Sequence, residues 1–384
     1  MQWRQRMSGV QVRRYDIDWL RVLAVLLLIP FHTAIIFAPA DSLSYIKDQE
    51  NRVLNQFSWF VHQWHMPLLF LVSGAATWFS LNSRTGRQYL GERVQRLVIP
   101  LVFGTLAIVP PAVYFQRLQF QQFQGSYIAF YPHFFNGIYP EGNFMWGSLW
   151  FLAYLFVFSL IVLPLLLFFR REFGKRLIST VASLCERRGE IFLFAVPLAV
   201  IQAALRARWP GFQNLIGDWA NFFFYITFFI YGYLLCSERR FEEAIARNGT
   251  LALGMGVVSW LFIGGISWIG KEPVPGYSPE WILYMILFGF NSWFWIIAIL
   301  SFGQRHLGFT NKVLQYGTEA ALPFYIIHHT IIVVIGYYVV QWNLRGMSKF
   351  FVITTASLIV TILLYDIFVK RANVTRFLFG MRVG

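Results

Sequence analysis

Ten long, predominantly apolar runs organise this 384-residue chain, at roughly 18–38, 57–81, 97–114, 146–169, 191–206, 219–236, 250–270, 282–302, 321–341 and 350–369. A membrane-crossing helix needs about 20 such residues. The runs do not alternate apolar with polar, so barrel strands are not expected. Of all residues 57% are hydrophobic and only 13% charged, against about a quarter charged in soluble proteins. A single soluble domain, a disordered chain and a coiled coil are excluded. The expected fold is an all-α integral membrane protein, a bundle of about ten transmembrane helices. The first run is too long for a cleaved signal peptide and lacks a small-residue cleavage site. The longest gap between runs is 115–145, so residues 1–384 read as one transmembrane domain with short tails at 1–15 and 371–384.

The chain carries 32 Lys and Arg against 18 Asp and Glu, a net charge of +14. In a soluble protein that excess would suggest nucleic acid. Its distribution suggests otherwise. The stretch before the first run, the gaps after the second, fourth, sixth and eighth, and the stretch after the tenth hold 23 of the 32 cations. Positive charge marks the cytoplasmic side, so both termini are expected there. The charge then reflects topology and attraction to anionic lipid, and no nucleic-acid partner is expected. Cys185 and Cys236 have no metal or CxxC spacing.

Ionisable groups inside spans are costly, which makes each a functional candidate. Asp18 and Arg21 lie three apart, on one helix face. They read as an ion pair closing the helix start or as a polar cluster shaping a ligand site. His32 lies eleven residues after Arg21, roughly 16 Å deeper and on the same face. It reads as a catalytic or ligand-binding group, with a helix–helix hydrogen bonder as the alternative. His328 and His329 are neighbours in the ninth run and point about 100° apart, so one functional and one supporting residue is expected. Histidine suits proton transfer near neutral pH. No HxxxH pair and no deep carboxylate occurs in a span, so no metal is expected. His62 and His65 open the second run near the outer face, as part of an interfacial belt or an acceptor site. Ser73-Gly74 reads first as a close helix contact.

Arg84, Arg87, Arg93 and Arg96 precede the third run. They read as a positive-inside anchor, or as a grip on a phosphorylated ligand at the cytoplasmic mouth. The aromatic-rich gap 115–145 reads as an interfacial belt or as a sugar-stacking platform. Proton-coupled carriers often keep a deep carboxylate, and this chain offers histidines instead. That tilts the reading from transport to chemistry within the membrane, with a transporter or flippase for a lipid-linked sugar or acyl compound as the alternative.

Several of these residues form a familiar series. Asp18-Trp-Leu-Arg21 with Phe31-His32 resembles the opening motif of the membrane-bound acyltransferase-3 superfamily. Leu69-Phe-Leu-Val-Ser73-Gly74 resembles its phenylalanine-rich segment. Arg93-Val-Gln-Arg96-Leu-Val-Ile-Pro100 resembles its arginine motif. Leu149-Trp150-Phe-Leu resembles its Trp-Phe-Leu motif, and Tyr325-Ile-Ile-His328 its late Tyr-Leu-x-His motif. The resemblance runs from residue 15 to about 371.

The resemblance implies an acyl-CoA-dependent acyltransferase of the bacterial inner membrane. A succinyl or acetyl group would pass from cytosolic acyl-CoA to a hydroxyl of a periplasmic or envelope glucan or polysaccharide. Arg93 and Arg96, helped by Arg87 and Ser73, would hold the donor. His32 would act as base or acyl-carrying nucleophile. His328 would assist the leaving thiolate or the carbonyl, and Asp18 and Arg21 would shape the donor site. His62, His65, Trp150 and His329 would meet the acceptor. Homo-oligomers and glucan-synthesis machinery are open as partners.

Overall fold

The computed structural model describes residues 13–39, 44–211 and 213–382. Helices dominate, and the only β feature among the described residues is an isolated bridge between Ile138 and Phe144. The chain is an all-α integral membrane protein. Eight helices are long and apolar enough to cross a membrane. They are α1 (Tyr15–Ile35), α4 (Gly86–Gln119), α5 (Gly147–Phe169), α8 (Trp219–Ser237), α9 (Arg239–Trp268), α10 (Pro279–His306), α11 (Lys312–Val339) and α12 (Gly346–Val369). The run at 191–206 forms α7 (Glu190–Leu205), which is shorter than a full span. It follows the amphipathic α6 (Glu172–Leu184) on the cation-rich side.

The run at 57–81 is not one continuous helix. It splits into α2 (Arg52–His62) and α3 (His65–Ser83), separated by a turn at Gln63-Trp64. Gln63 is fully buried there. Its side-chain carbonyl accepts from Asn291 of α10 at 3.2 Å, and Asn291 accepts from Ser259 of α9 at 2.8 Å. This hydrogen-bonded chain holds the break at a depth where free polar groups are expensive. His62 and His65 therefore belong to different helices rather than to one helix face.

Helix α4 is widened twice, with π segments at Val94–Val98 and Gly104–Ile108. Each ends two residues before a proline, Pro100 or Pro110. Proline offers no N–H to the carbonyl four residues back and its ring crowds that oxygen. At Pro110 the orphaned oxygen is that of Leu106, and the Tyr131 hydroxyl donates to it at 3.0 Å. At Pro100 it is that of Arg96. The tail folds back to this point, so that a Cβ on Gly380 would lie 2.9 Å from the Arg96 oxygen.

Close packing centres on α3 and α8. A Cβ on Gly74 would fall 1.9 Å from the Phe229 carbonyl oxygen, and one on Gly232 would fall 1.8 Å from that of Leu71. Only hydrogen fits at either crossing point, which is how small residues bring membrane helices together. Ser73-Gly74 thus makes the helix contact that the sequence suggests. Around it Phe70, Phe158, Phe228 and Phe229 are completely buried. Helix α11 packs along α1, and this pairing brings the site histidines together.

Candidate active site

His32 lies in the last turn of α1, two residues after Pro30. His328 and His329 lie midway along α11, five and six residues after Pro323. The His32 ring centroid is 5.3 Å from that of His328 and 4.7 Å from that of His329. Both neighbours on α11 therefore lie against His32. They differ in surroundings: His328 is 1% exposed, whereas His329 is half-buried. Tyr45, from the loop after α1, closes edge-on against His329 at 4.7 Å.

The His328 ring is held in one tautomer. Its Nδ1 lies 2.7 Å from the Tyr325 carbonyl oxygen and 3.2 Å from that of Phe324. A carbonyl can only accept, so Nδ1 carries the proton, and in the neutral ring Nε2 is a bare acceptor. That Nε2 is buried with no hydrogen-bond partner among the described residues. This tautomer suits His328 to accepting a proton or hydrogen bond rather than to giving one. Tyr325 is itself anchored, its hydroxyl donating to the Ser148 carbonyl.

His65 repeats the arrangement. It is fully buried and donates from Nε2 to the Ala24 carbonyl of α1 at 2.7 Å, leaving Nδ1 without a partner. Phe31 lies between this ring and the cluster, 5.9 Å from His65, 6.4 Å from His62 and 5.0 Å from His32. Five histidines from four helices thus surround Phe31 and the α1–α11 seam. Among the described residues no three His, Cys, Asp or Glu side chains are placed to share a metal ion.

Towards the cation-rich side the same bundle carries a group of arginines. Asp18 accepts from Arg21 at 3.1 Å and from Arg13 at 2.8 Å, which bears out the local ion pair. Arg96 pairs with Glu92 at 3.5 Å, and Glu92 also pairs with Arg84 at 3.1 Å. Arg96 is within electrostatic reach of Arg21, Arg93 and Arg382. Cations from α1, α4 and the tail therefore converge. Arg93 donates to Thr77 at 2.9 Å and lies over the Tyr89 ring at 4.8 Å. No carboxylate pairs with it among the described residues. Arg87 is exposed and makes no ion pair with a described residue. Ser73 bonds back to the Leu69 carbonyl of its own helix at 2.8 Å. Trp150 packs among Tyr154, Tyr225 and Phe70 rather than against a histidine.

Sequence reasoning missed a polar knot on the opposite side. Asp218, fully buried before α8, accepts from the Tyr154 hydroxyl at 2.6 Å, from the Gln213 backbone at 3.1 Å and from Asn221 at 3.2 Å. Arg206 donates to Asn221 at 2.8 Å. Burial pushes the Asp218 carboxyl above its ordinary value, and the hydrogen bonds from Tyr154 and Asn221 oppose that shift. An acidic residue at the outer end of an apolar run was the available signal. Tyr45 had none, because its contact depends on how the loop after α1 folds back.

A family model described as an acyltransferase domain matches residues 14–366. The chain belongs to the acyltransferase-3 family. Its curated relatives include glucans biosynthesis protein C of Salmonella typhi, 24% identical over 97% of this chain and 96% of the relative. Another is glucans biosynthesis protein C of Escherichia coli (strain K12 / DH10B), 24% identical over 96% of this chain and 94% of the relative. No solved structure matches the chain. Family membership makes the chain an acyltransferase-type membrane protein. The seam residues His32, His328 and His329, together with Arg21, Arg93 and Arg96, all lie inside the matched region.

Proposed function

We propose that this protein is a membrane-embedded O-acyltransferase of the bacterial inner membrane. It moves a small acyl group, succinyl or acetyl, from cytosolic acyl-CoA to a hydroxyl of a periplasmic or envelope glucan. The observation that carries the reading is the α1–α11 seam, where a half-buried His32 meets a fixed His328 with an unpaired acceptor nitrogen.

Coenzyme A is polyanionic, and the arginine group offers what its phosphates need. Among the described residues Arg93 has no carboxylate to give up, and Arg96 shares only the already divided Glu92. Guanidinium–phosphate pairs are short, charge-assisted and directional. From that mouth the acyl arm extends along the bundle towards the histidines. A sugar hydroxyl attacks a thioester poorly until a base takes its proton. His32 takes that proton, the sugar oxygen bonds to the acyl carbon, and the carbon–sulfur bond breaks. The bare Nε2 of His328 accepts from the protonated His32 and steadies its charge. His32 then returns the proton to the leaving thiolate, so that an ester and free coenzyme A result. His62 and His65 border the side from which the acceptor arrives.

The test is a purified preparation in detergent given acyl-CoA and glucan oligosaccharides. Coenzyme A release matched by ester on the glucan, seen by mass spectrometry, is expected. Movement of a lipid-linked sugar across a proteoliposome with no release of coenzyme A would contradict it.

A further inference from the structure

A concave site lies outside the histidine seam. It is a groove of about 340 Å³ on the side opposite the cation-rich face, lined by Arg117, Phe123, His133, Asn136, Glu141 and Asn143 among others. That volume lies within the range of small-molecule sites.

The groove is built rather than incidental. Arg117 donates to Asn143 and to the Gly142 carbonyl, both at 2.7 Å, and also to Gln122. It thereby ties the end of α4 to the 137–144 loop. Asn143 donates in turn to the His133 carbonyl at 2.9 Å. The loop itself needs two glycines: Gly137 has φ +68°, and a Cβ on Gly142 would lie 2.1 Å from the Gly137 carbonyl carbon. The short helical segment above it is two-sided. Phe130 and Phe134 are buried, while Ile128 and Phe135 are exposed on the other face. The exposed face suits the membrane interface, and the inner face supplies part of the groove lining.

The lining has the chemistry of a neutral polyhydroxylated ligand. Aromatic rings sit beside planar amides, an imidazole and one carboxylate. The charges are opposed, Arg117 against Glu141, and the guanidinium is already engaged by loop oxygens. A phosphate would meet the Glu141 carboxylate instead of a free cation. One residue, Tyr45, links the groove to the active seam. Tyr45, which packs on His329, is within electrostatic reach of Arg117 and Tyr139. Its hydroxyl donates to Met145 Sδ at 3.2 Å.

We infer that this groove is the docking site for a stretch of the glucan acceptor, holding sugar units next to the one that enters the histidine seam. The inference rests on the acceptor class proposed above. Asn136 and Glu141 are exposed loop side chains, so Asn136→Ala and Glu141→Ala spare the core; Gln124→Ala, also exposed but outside the lining, is the control. Loss of one polar contact should raise the KM for glucan oligosaccharides about five-fold in each groove variant, with the control unchanged. An unchanged KM in both groove variants would overturn the groove. Oligosaccharide binding, measured without acyl-CoA, separates the two claims. If wild type binds but never acylates, and the groove variants bind about five-fold more weakly, the groove stands and the transfer reaction falls. If wild type neither binds nor acylates glucan, both fall.

Discussion

The histidine seam and the arginine group share helix α1, eleven residues and roughly 16 Å apart, yet they are constructed in opposite ways. The arginines are handled as proteins usually handle charge. Asp18 answers Arg21, Glu92 answers Arg84 and Arg96, and Thr77 with the Tyr89 ring accommodates Arg93. The histidines are not handled that way. His328 and His65 each spend one nitrogen on a backbone carbonyl and keep the other buried and unpaired. An unpaired buried acceptor costs about 1–3 kcal/mol. Cations that are partly satisfied and near solvent are suited to binding an anion reversibly. Oriented nitrogens kept bare are suited to taking protons. The contrast separates donor binding from chemistry within one bundle.

The sharpest way to break that contrast is to remove the fixed acceptor. His328→Ala should lower kcat by about 100-fold or more, with little change in the KM for acyl-CoA. A raised KM at unchanged kcat would instead make His328 a binding residue. Next in size is the arginine group. Arg93→Ala and Arg96→Ala should each raise the KM for acyl-CoA by about ten- to a hundred-fold, the scale of a lost charge-assisted hydrogen bond, while kcat changes little. Unchanged acyl-CoA affinity in both variants would remove the donor mouth from the account. The smallest effect belongs to Asp18 and Arg21, whose side chains are 17% and 34% exposed. A double-mutant cycle on thermal stability should give a coupling of about 1 kcal/mol or less. A larger value would make the pair a structural anchor rather than a flank of the mouth.

Much of this was legible in the sequence because membrane helices announce themselves through long apolar runs. All ten runs became helical, and His32 was conspicuous as a polar residue among Leu, Val and Ile. The eleven-residue spacing from Arg21 to His32 needed only helix geometry. Other features depended on contacts between distant segments. The break at Gln63-Trp64 is hidden in an apolar run because its polar support comes from Asn291. Trp150 looked like a pocket residue, yet Tyr225 and Phe70, remote in sequence, draw it into an aromatic cluster. The 100° separation of His328 and His329 suggested that only one would reach the site. The seam between α1 and α11 is narrow enough for His32 to touch both. The Ser73-Gly74 contact was readable, but its counterpart Gly232 was not, because a glycine in an apolar helix carries no sign of its partner.

The claim that the chemistry resides at the histidine seam is tested most directly by single-turnover ester formation in His32→Ala, with acyl-CoA and glucan both saturating. Saturation removes any defect in binding, so the rate reports the chemical step alone. Acyl-CoA binding like that of wild type and a rate lower by about 100- to 10,000-fold are expected. Ester formation at a near-normal rate in that variant would contradict the claim.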